Sequence, residues 1–384
     1  VLPSDDNYDS LQSRLTVQPP YYAFNRVYAD VHSDGIYGDF IPEQPVVGEH
    51  AAISVAEAGR HVAILGTLLG ESLTTDHGPS YYLAIEADVS GADEPVLHAQ
   101  PGEAMTAYVR CRKNTANRLT VDGKLLYKNK ALLIFVVSYV RLGETQFRFL
   151  YRDAAMPTGT AIMPVMSPWR HPVPLSMLPE IHRGKLSAKI NSHNPQLCAG
   201  HFENYPMWPV AIVMSAATQL ITTLLRQTFY SELQYRIISA NMRAKKLLSV
   251  TEVIIFHAEI INHQAGDVNV RCLISSNDGT PEQVAELQVN LIIHDRKECA
   301  MSNFDDNFFL FLSNINPEIS ATYNEDRTML VSTFWQDSVD ALTVLTEIEK
   351  EYGIRVPDSD FANMDKMTLQ GLCDIVRSMT SGTA

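Results

Sequence analysis

From Val210 to Leu225 the chain carries no charged side chain. Ile212, Ala216, Gln219, Leu220 and Thr223 recur there at the three- and four-residue steps of an α-helix. A helix without a polar face must be wrapped by other structure. Directly before it stands His201-Phe202-Glu203-Asn204-Tyr205-Pro206-Met207-Trp208-Pro209, whose prolines hold the preceding residues out of helical backbone. The order sets a histidine beside the start of a buried helix, which is the geometry of a site.

The rest of the chain supplies the wrapping twice. In 21–153, a helical stretch from about Glu49 to Leu69 precedes Tyr81–Asp88, Ala104–Lys113, Asn117–Tyr127, Lys130–Arg141 and Gln146–Tyr151. These runs read as strands, with Asp122-Gly123 as a hairpin turn. In 198–298 a helix from Val210 to Phe229 precedes strands near Tyr235–Lys245, Val250–Asn262, Asp267–Ser276 and Ala285–His294, with a turn at Asn277-Asp278-Gly279. Between the copies, the prolines of 154–197 exclude long regular elements, and 1–20 reads as an arm. The fold class expected is α+β.

The order His-Phe-x-x-Tyr-Pro-x-x-Pro from His201 to Pro209, followed by Ser215-Ala216 and Gln219, resembles the hotdog-fold 3-hydroxyacyl-carrier-protein dehydratases. The match is close over about twenty residues and looser through the strands behind them. It implies two tandem hotdog units, each a long helix rolled in a curved antiparallel sheet and together equivalent to a fused dimer. The family's helix carries Glu or Asp where this chain has Ser215, and usually Gly where it has Val210. Aligning Pro45 with Pro206 puts Phe40 at the place of His201, while Ile53 to His61, with about three residues inserted before it, resembles the family's acid-bearing helix segment and makes Glu57 the acid. Because the family's site spans its dimer, the resemblance implies one composite site, His201 with Glu57, and one vacant site at Phe40 and Ser215.

In that site His201 would take the α-proton of a 3-hydroxyacyl thioester, as an imidazole can near neutral pH. Glu57 would serve the leaving hydroxyl, the amides near Val210 and Ala211 would stabilise the thioester oxygen, and Gln219 would orient substrate. Against these roles stand a salt bridge of Glu57 with Arg60 or a histidine, plain helix packing for Gln219, and His32, His50 or His61 as substitutes for His201.

The end of the chain changes character: residues 301–384 hold 14 carboxylates against 5 basic side chains. Asp337-Ser338 heads an amphipathic helix through Leu345, Ile348 and Glu349, then come Tyr352-Gly353-Ile354 and a late Thr368-Leu369. Over 303–380 this resembles an acyl carrier protein, an all-α four-helix domain. The resemblance implies covalent 4'-phosphopantetheine on Ser338, where a helix N-terminus favours phosphate; the plainer role for Ser338 is a helix cap. Trp335 stands in place of the family's usual Gly-Leu-like run.

A net charge of −14 argues against nucleic acid or an anionic membrane as partner. Cys111, Cys198, Cys272, Cys299 and Cys373 are scattered without metal-like pairing, which fits reduced thiols in the cytoplasm; Cys198, near His201, is the one to probe. No apolar run reads as long enough to span a bilayer. The expected function is a dehydratase of carrier-bound 3-hydroxyacyl thioesters in polyketide or fatty-acid-type biosynthesis. Its expected partners are a phosphopantetheinyl transferase, a ketosynthase, a ketoreductase and, as an open possibility, a second copy in a homodimer. The alternatives are a hotdog acyl-carrier-protein thioesterase using Glu57, and a non-catalytic scaffold presenting the carrier-bound chain.

Overall fold

The computed structural model describes residues 11–74, 78–92, 102–156, 168–179, 184–190, 194–202, 204–229, 233–264, 266–276 and 282–293, then 308, 311–312, 315, 330, 338–357 and 367–381, with no side chains described for 338–340. Contacts divide the chain into two compact units, Val1–Leu225 with Leu233–His294, and Arg226–Glu232 with Asp295–Ala384.

The larger unit holds both copies. In the first, helix α1 (Val55–Ser72) starts at Ser54, whose side chain accepts a hydrogen bond from the Glu57 amide. Ala58, Val62, Leu65, Leu68 and Leu69 on this helix are completely buried. Around it run β1 (Arg26–Ala29), β2 (Gly35–Phe40), β3 (Ser80–Gly91), β4 (Met105–Asn114), β5 (Arg118–Tyr127) and β6 (Lys130–Gly143). A short helix α2 (Glu144–Leu150) follows, where the sequence reads as a further strand. The second copy contains β7 (Ser176–Leu178), β8 (Lys185–Ile190), helix α3 (Val210–Thr228), β10 (Tyr235–Ala244), β12 (Ile254–Gln264), β13 (Asp267–Ser276) and β14 (Glu282–Ile293). Two short strands, β9 (Met207–Trp208) and β11 (Leu248–Ser249), pair beside α3.

All the longer strands join one twelve-stranded antiparallel sheet in the order β1-β2-β4-β5-β6-β3-β10-β14-β13-β12-β8-β7. Read from either end the order is the same, β7 answering β1, β8 answering β2 and so on to the central seam. There β10 pairs with β3 from Ser239↔Ser90 to Arg243↔Glu86. Two hotdog units share this sheet: β3 and β10 cover one another at the seam, and β1 and β7 remain its outer edges.

Several sequence expectations change. Leu11, Leu15, Val17, Tyr21 and Tyr22 are buried, so the described residues before Tyr21 pack into the fold and are no free arm. The crossover contributes β7 and β8, the edge of the second half. Asp122-Gly123 lies inside β5, opposite Val136 and Phe135; a Cβ on Gly123 would come within 2.5 Å of the Val62 side chain, so the glycine admits α1. The tight turn is instead Lys128-Asn129, with φ of 49° and 63°. Asn277-Asp278-Gly279 lies outside the described residues. Finally, α3 is, by length and composition alone, apolar enough to cross a membrane, with a mean hydropathy of 1.2. Its Ala216, Ala217, Leu220 and Leu225 are fully buried, so the fold wraps it as the uncharged sequence requires.

In the smaller unit, α4 (Ser338–Tyr352) and α5 (Leu369–Ser381) are the helices among the described residues. Val344, Leu345 and Ile348 pack with Leu372, Cys373, Val376, Phe308 and Leu312 in one core. Glu349 accepts a hydrogen bond from the Val356 amide at 2.8 Å, which ties the chain after α4 back to the helix.

Candidate active site

The histidine turn is held by the chain's own beginning. Gly200 has φ of +81°, and a Cβ there would lie 2.2 Å from the Gln18 carbonyl oxygen; only glycine allows that approach. The Gln18 amide donates to the Gly200 carbonyl at 2.7 Å, the Phe202 amide to the Thr16 carbonyl at 3.2 Å, and Val17 bridges His201. His201 is thereby buried, edge-on to Tyr21 with ring centres 5.1 Å apart and against Phe202 at 4.0 Å.

Its Nδ1 lies 3.0 Å from the Met207 carbonyl oxygen. A carbonyl only accepts, so Nδ1 carries the hydrogen and Nε2 keeps its lone pair. Burial lowers the imidazole pKa to about 4, with the Met207 contact opposing it. At neutral pH the ring is uncharged and Nε2 keeps its lone pair, as a weaker base than an exposed imidazole.

His201 lines a cavity of about 50 Å³ with Tyr21, Ala63, Thr67, Tyr139, Val210 and Ala211. Ala63, Ala84, Val210 and Ala211 also line a second cavity of about 80 Å³, so the two adjoin. The second is nearly all apolar, and its walls come in matched pairs from the two halves: Val55 and Val210, Ala56 and Ala211, Gly59 and Met214, Ala63 and Thr218. Val210 and Ala211 open α3, whose first intrahelical bonds run from the Ile212 and Val213 amides to the Pro209 carbonyl. The amides ahead of them are the ones a helix start leaves available.

Glu57 is not among the residues lining either cavity. Its carboxylate accepts from the Glu43 amide at 2.5 Å and the Gln44 amide at 3.3 Å. Burial raises its pKa, while those amides and Arg60 pull it down. His61 stands one turn on, fully buried and 4.0 Å from Glu57, and burial holds its pKa well below the ordinary value. Phe40 stacks on His61 at 3.6 Å. Thus the structure groups Glu57, His61 and Phe40 within the first half and sets His201 apart from them.

The matched walls explain the difference in register. Counted from the helix starts, Val55 answers Val210, so Glu57 answers Ile212 and Arg60 answers Ser215. Phe40 ends β2 opposite Met105, as Ile190 ends β8 opposite Ile254. Phe40 is therefore a core strand residue with Ile190 as its counterpart, and the alignment on Pro45 is shifted. The counterpart of the His201 turn is Gly48-Glu49-His50. There Glu49 bridges Tyr235, as His201 stands near Tyr82, and Tyr235 hydrogen-bonds Thr222. Glu49 accepts from the Val55 amide at 3.0 Å, and burial raises its carboxyl pKa to about 7. Neither Glu49 nor Tyr21 stands out in the sequence; Tyr21 falls at the first residue of the first unit, beside the apparent arm, and Glu49 at the start of the helical stretch.

Gln219 lies on α3 at the place of Ile64, and its Nε2 is buried without a hydrogen-bond partner among the described residues. Cys198 is buried, which raises its thiol pKa well above the usual range and leaves it unreactive.

Arg60 links the halves of this picture. It donates to Glu43 at 2.5 Å and to the Tyr21 carbonyl at 2.6 Å and 3.2 Å, and its guanidinium lies 5.0 Å from the Tyr21 ring centre. Trp169 meets Tyr21 edge-on at 5.0 Å. Glu57 fixes the 43–44 amides, Glu43 holds Arg60, and Arg60 with Trp169 fixes Tyr21 beside His201.

In the smaller unit Ser338 is the first residue of the 15-residue α4. A serine at the start of a helix this long fits a phosphodiester, because the first-turn amides and the helix dipole favour an anion there. A phosphopantetheine arm supplies a thiol that carries an acyl group as a thioester.

The sequence matches no curated protein. Among solved structures, the larger part of the chain resembles an acyl-CoA thioesterase II of Mycobacterium marinum (10% identity, TM-score 0.42, 69% of this chain and 93% of that one). It also resembles an acyl-ACP thioesterase of Bacteroides thetaiotaomicron (11%, 0.43, 68% and 98%) and the 12:0-ACP thioesterase of Umbellularia californica (8%, 0.44, 69% and 96%). Residues 337–376 match the family described as phosphopantetheine attachment site, which makes this C-terminal domain the place of covalent 4'-phosphopantetheine attachment.

Proposed function

We propose that the double hotdog is a dehydratase acting on 3-hydroxyacyl thioesters carried on the phosphopantetheine arm, with Ser338 as the attachment point. The observation that carries the reading is His201: a buried, neutral imidazole whose Nδ1–H is spent on the Met207 carbonyl, facing a cavity at the start of α3. That arrangement leaves Nε2 as a base for the α-proton of an acyl thioester. The Val210 and Ala211 amides at the helix start suit the charge that grows on the thioester oxygen. The adjoining apolar cavity suits an alkyl chain, since its lining offers almost nothing polar to a substituted one. Fusion of carrier and hotdog on one chain keeps substrate at high effective concentration.

The partners this requires are a phosphopantetheinyl transferase to install the arm, and ketosynthase and ketoreductase activities to build the 3-hydroxyacyl group. The test is intact-mass spectrometry of the chain after Ser338 has been loaded with a 3-hydroxyacyl pantetheine group. Loss of one water in the wild type, absent in His201→Ala, supports the reading; a loaded group that stays unchanged overturns it in favour of a carrier-presenting scaffold. A second reading, thioester hydrolysis, has its own observation in Glu49, whose carboxyl titrates near 7 while bonded to Val55 on the cavity wall. Release of free acid, lost in Glu49→Gln, would establish that activity instead.

A further inference from the structure

Dehydration needs a proton for the departing hydroxyl as well as a base for the α-carbon. The helix position where a carboxylate is expected holds Ser215 in one half and Arg60 in the other, and Glu57 is turned to the 43–44 loop. Among the described residues, no carboxylate lines the cavity that His201 faces. What does line it, edge-on to His201 at 5.1 Å, is Tyr21.

Three features set Tyr21 apart from an ordinary buried phenol. Its ring is clamped between Trp169 and Arg60, and its carbonyl is held by Arg60 twice. Its hydroxyl makes no hydrogen bond among the described residues, whereas the neighbouring Tyr139 hydroxyl is spent on the Ala63 carbonyl at 3.0 Å. The Tyr21 hydroxyl is not one of the buried polar atoms left unpaired, so at the cavity wall it is open to water or to a substrate oxygen. The Arg60 guanidinium is also placed to steady the phenolate that would form after proton transfer.

We infer that Tyr21 is the second catalytic residue of the His201 site, donating its hydroxyl proton to the leaving oxygen in place of the missing helix carboxylate. The inference rests on the dehydratase reading above. His201 Nε2 takes the α-proton, and the C–H electron pair becomes the new carbon–carbon double bond. The C3–O bond breaks, and the oxygen leaves as water with the proton of Tyr21. The phenolate then recovers a proton from the His201 imidazolium, so both groups return to their starting states with no other reactant. Burial raises the phenol pKa, which keeps the group protonated until the leaving oxygen, a stronger base, draws the proton away.

The experiment uses the full chain loaded on its carrier with a 3-hydroxybutyryl group, followed by mass spectrometry in H2O and in D2O. Tyr21→Phe keeps the ring packing and removes only the hydroxyl. The expected result is water loss slowed by about 100-fold or more, with deuterium still entering the α-position, because His201 continues to exchange that proton. His201→Ala should lose both. Tyr21→Phe that dehydrates within about threefold of wild type would overturn the assignment. Loss of both water release and α-exchange in Tyr21→Phe would also overturn it, since Tyr21 would then act only by positioning His201. Wild type that neither exchanges nor dehydrates removes the dehydratase reading itself, a result separate from either Tyr21 outcome.

Discussion

At the scale of single residues, the burial that readies His201 also gives it a stability cost. The imidazole pKa falls from its usual 6.5 to about 4, so the unfolded state binds this proton more readily than the folded one. That contribution to stability is complete above about pH 6.5 and is lost as pH falls toward 4. It amounts to up to about 3 kcal/mol from the size of the shift. Denaturant titration across that range should therefore show a flatter pH dependence for His201→Gln than for wild type; equal slopes would remove the claim that the ring is buried neutral. Gly200→Ala tests the turn itself. With φ of +81° and a backbone oxygen 2.2 Å from the new Cβ, it should cost more than about 2 kcal/mol, seen as a lowered unfolding midpoint. The His201 turn was legible in the sequence because its prolines and histidine are local signals. The role proposed for Tyr21 was not, since it depends on Arg60, Trp169 and His201, which come from distant parts of the chain.

At the scale of elements, α1 and α3 do the same structural work with different sequences, and the cavity between them records it. Gly59 on α1 stands where α3 has Met214, and a Cβ on Gly59 would meet only the Phe135 ring, at 3.8 Å. A Cβ fits there in ordinary contact, and a longer side chain takes volume from the cavity it lines. Gly59→Met should shift activity toward shorter acyl chains and Met214→Ala toward longer ones, read by competition among loaded chains of different length; unchanged preference in both would show that the chain lies elsewhere. Glu57→Gln is a further test at this scale. It keeps the fold of α1 but weakens the carboxylate's grip on the Glu43 and Gln44 amides, and should lower stability by about 1–2 kcal/mol in thermal melts. Helix and strand order followed from hydrophobic periodicity. The one-turn shift that misplaced Glu57 did not, because periodicity fixes a helix's face and leaves its start uncertain when the caps differ, as Ser54 and Pro209 do.

At the scale of the whole molecule, two compact units imply two events in calorimetry. The double hotdog should unfold in one transition because β3 and β10 make its sheet continuous, and the carrier domain in another. Changes confined to the larger unit, Gly200→Ala among them, should move only the first. The overall plan of two hotdog units and a carrier was readable from the repeated order of one helix then several strands, from the motif at His201 to Pro209, and from the Asp337-Ser338 helix start. The membership of β7 and β8 was hidden by the proline-rich sequence around them, since short edge strands leave little periodicity to detect.

The seam between β3 and β10 bears on behaviour under dilution. In a hotdog assembly of separate subunits, a site built across the interface disappears when the protein falls below its dissociation constant, and the rate then drops faster than the concentration. Here the interface is closed by the polypeptide itself, so the turnover proposed for each molecule would be set independently of that association, and the rate should remain first order in protein on dilution.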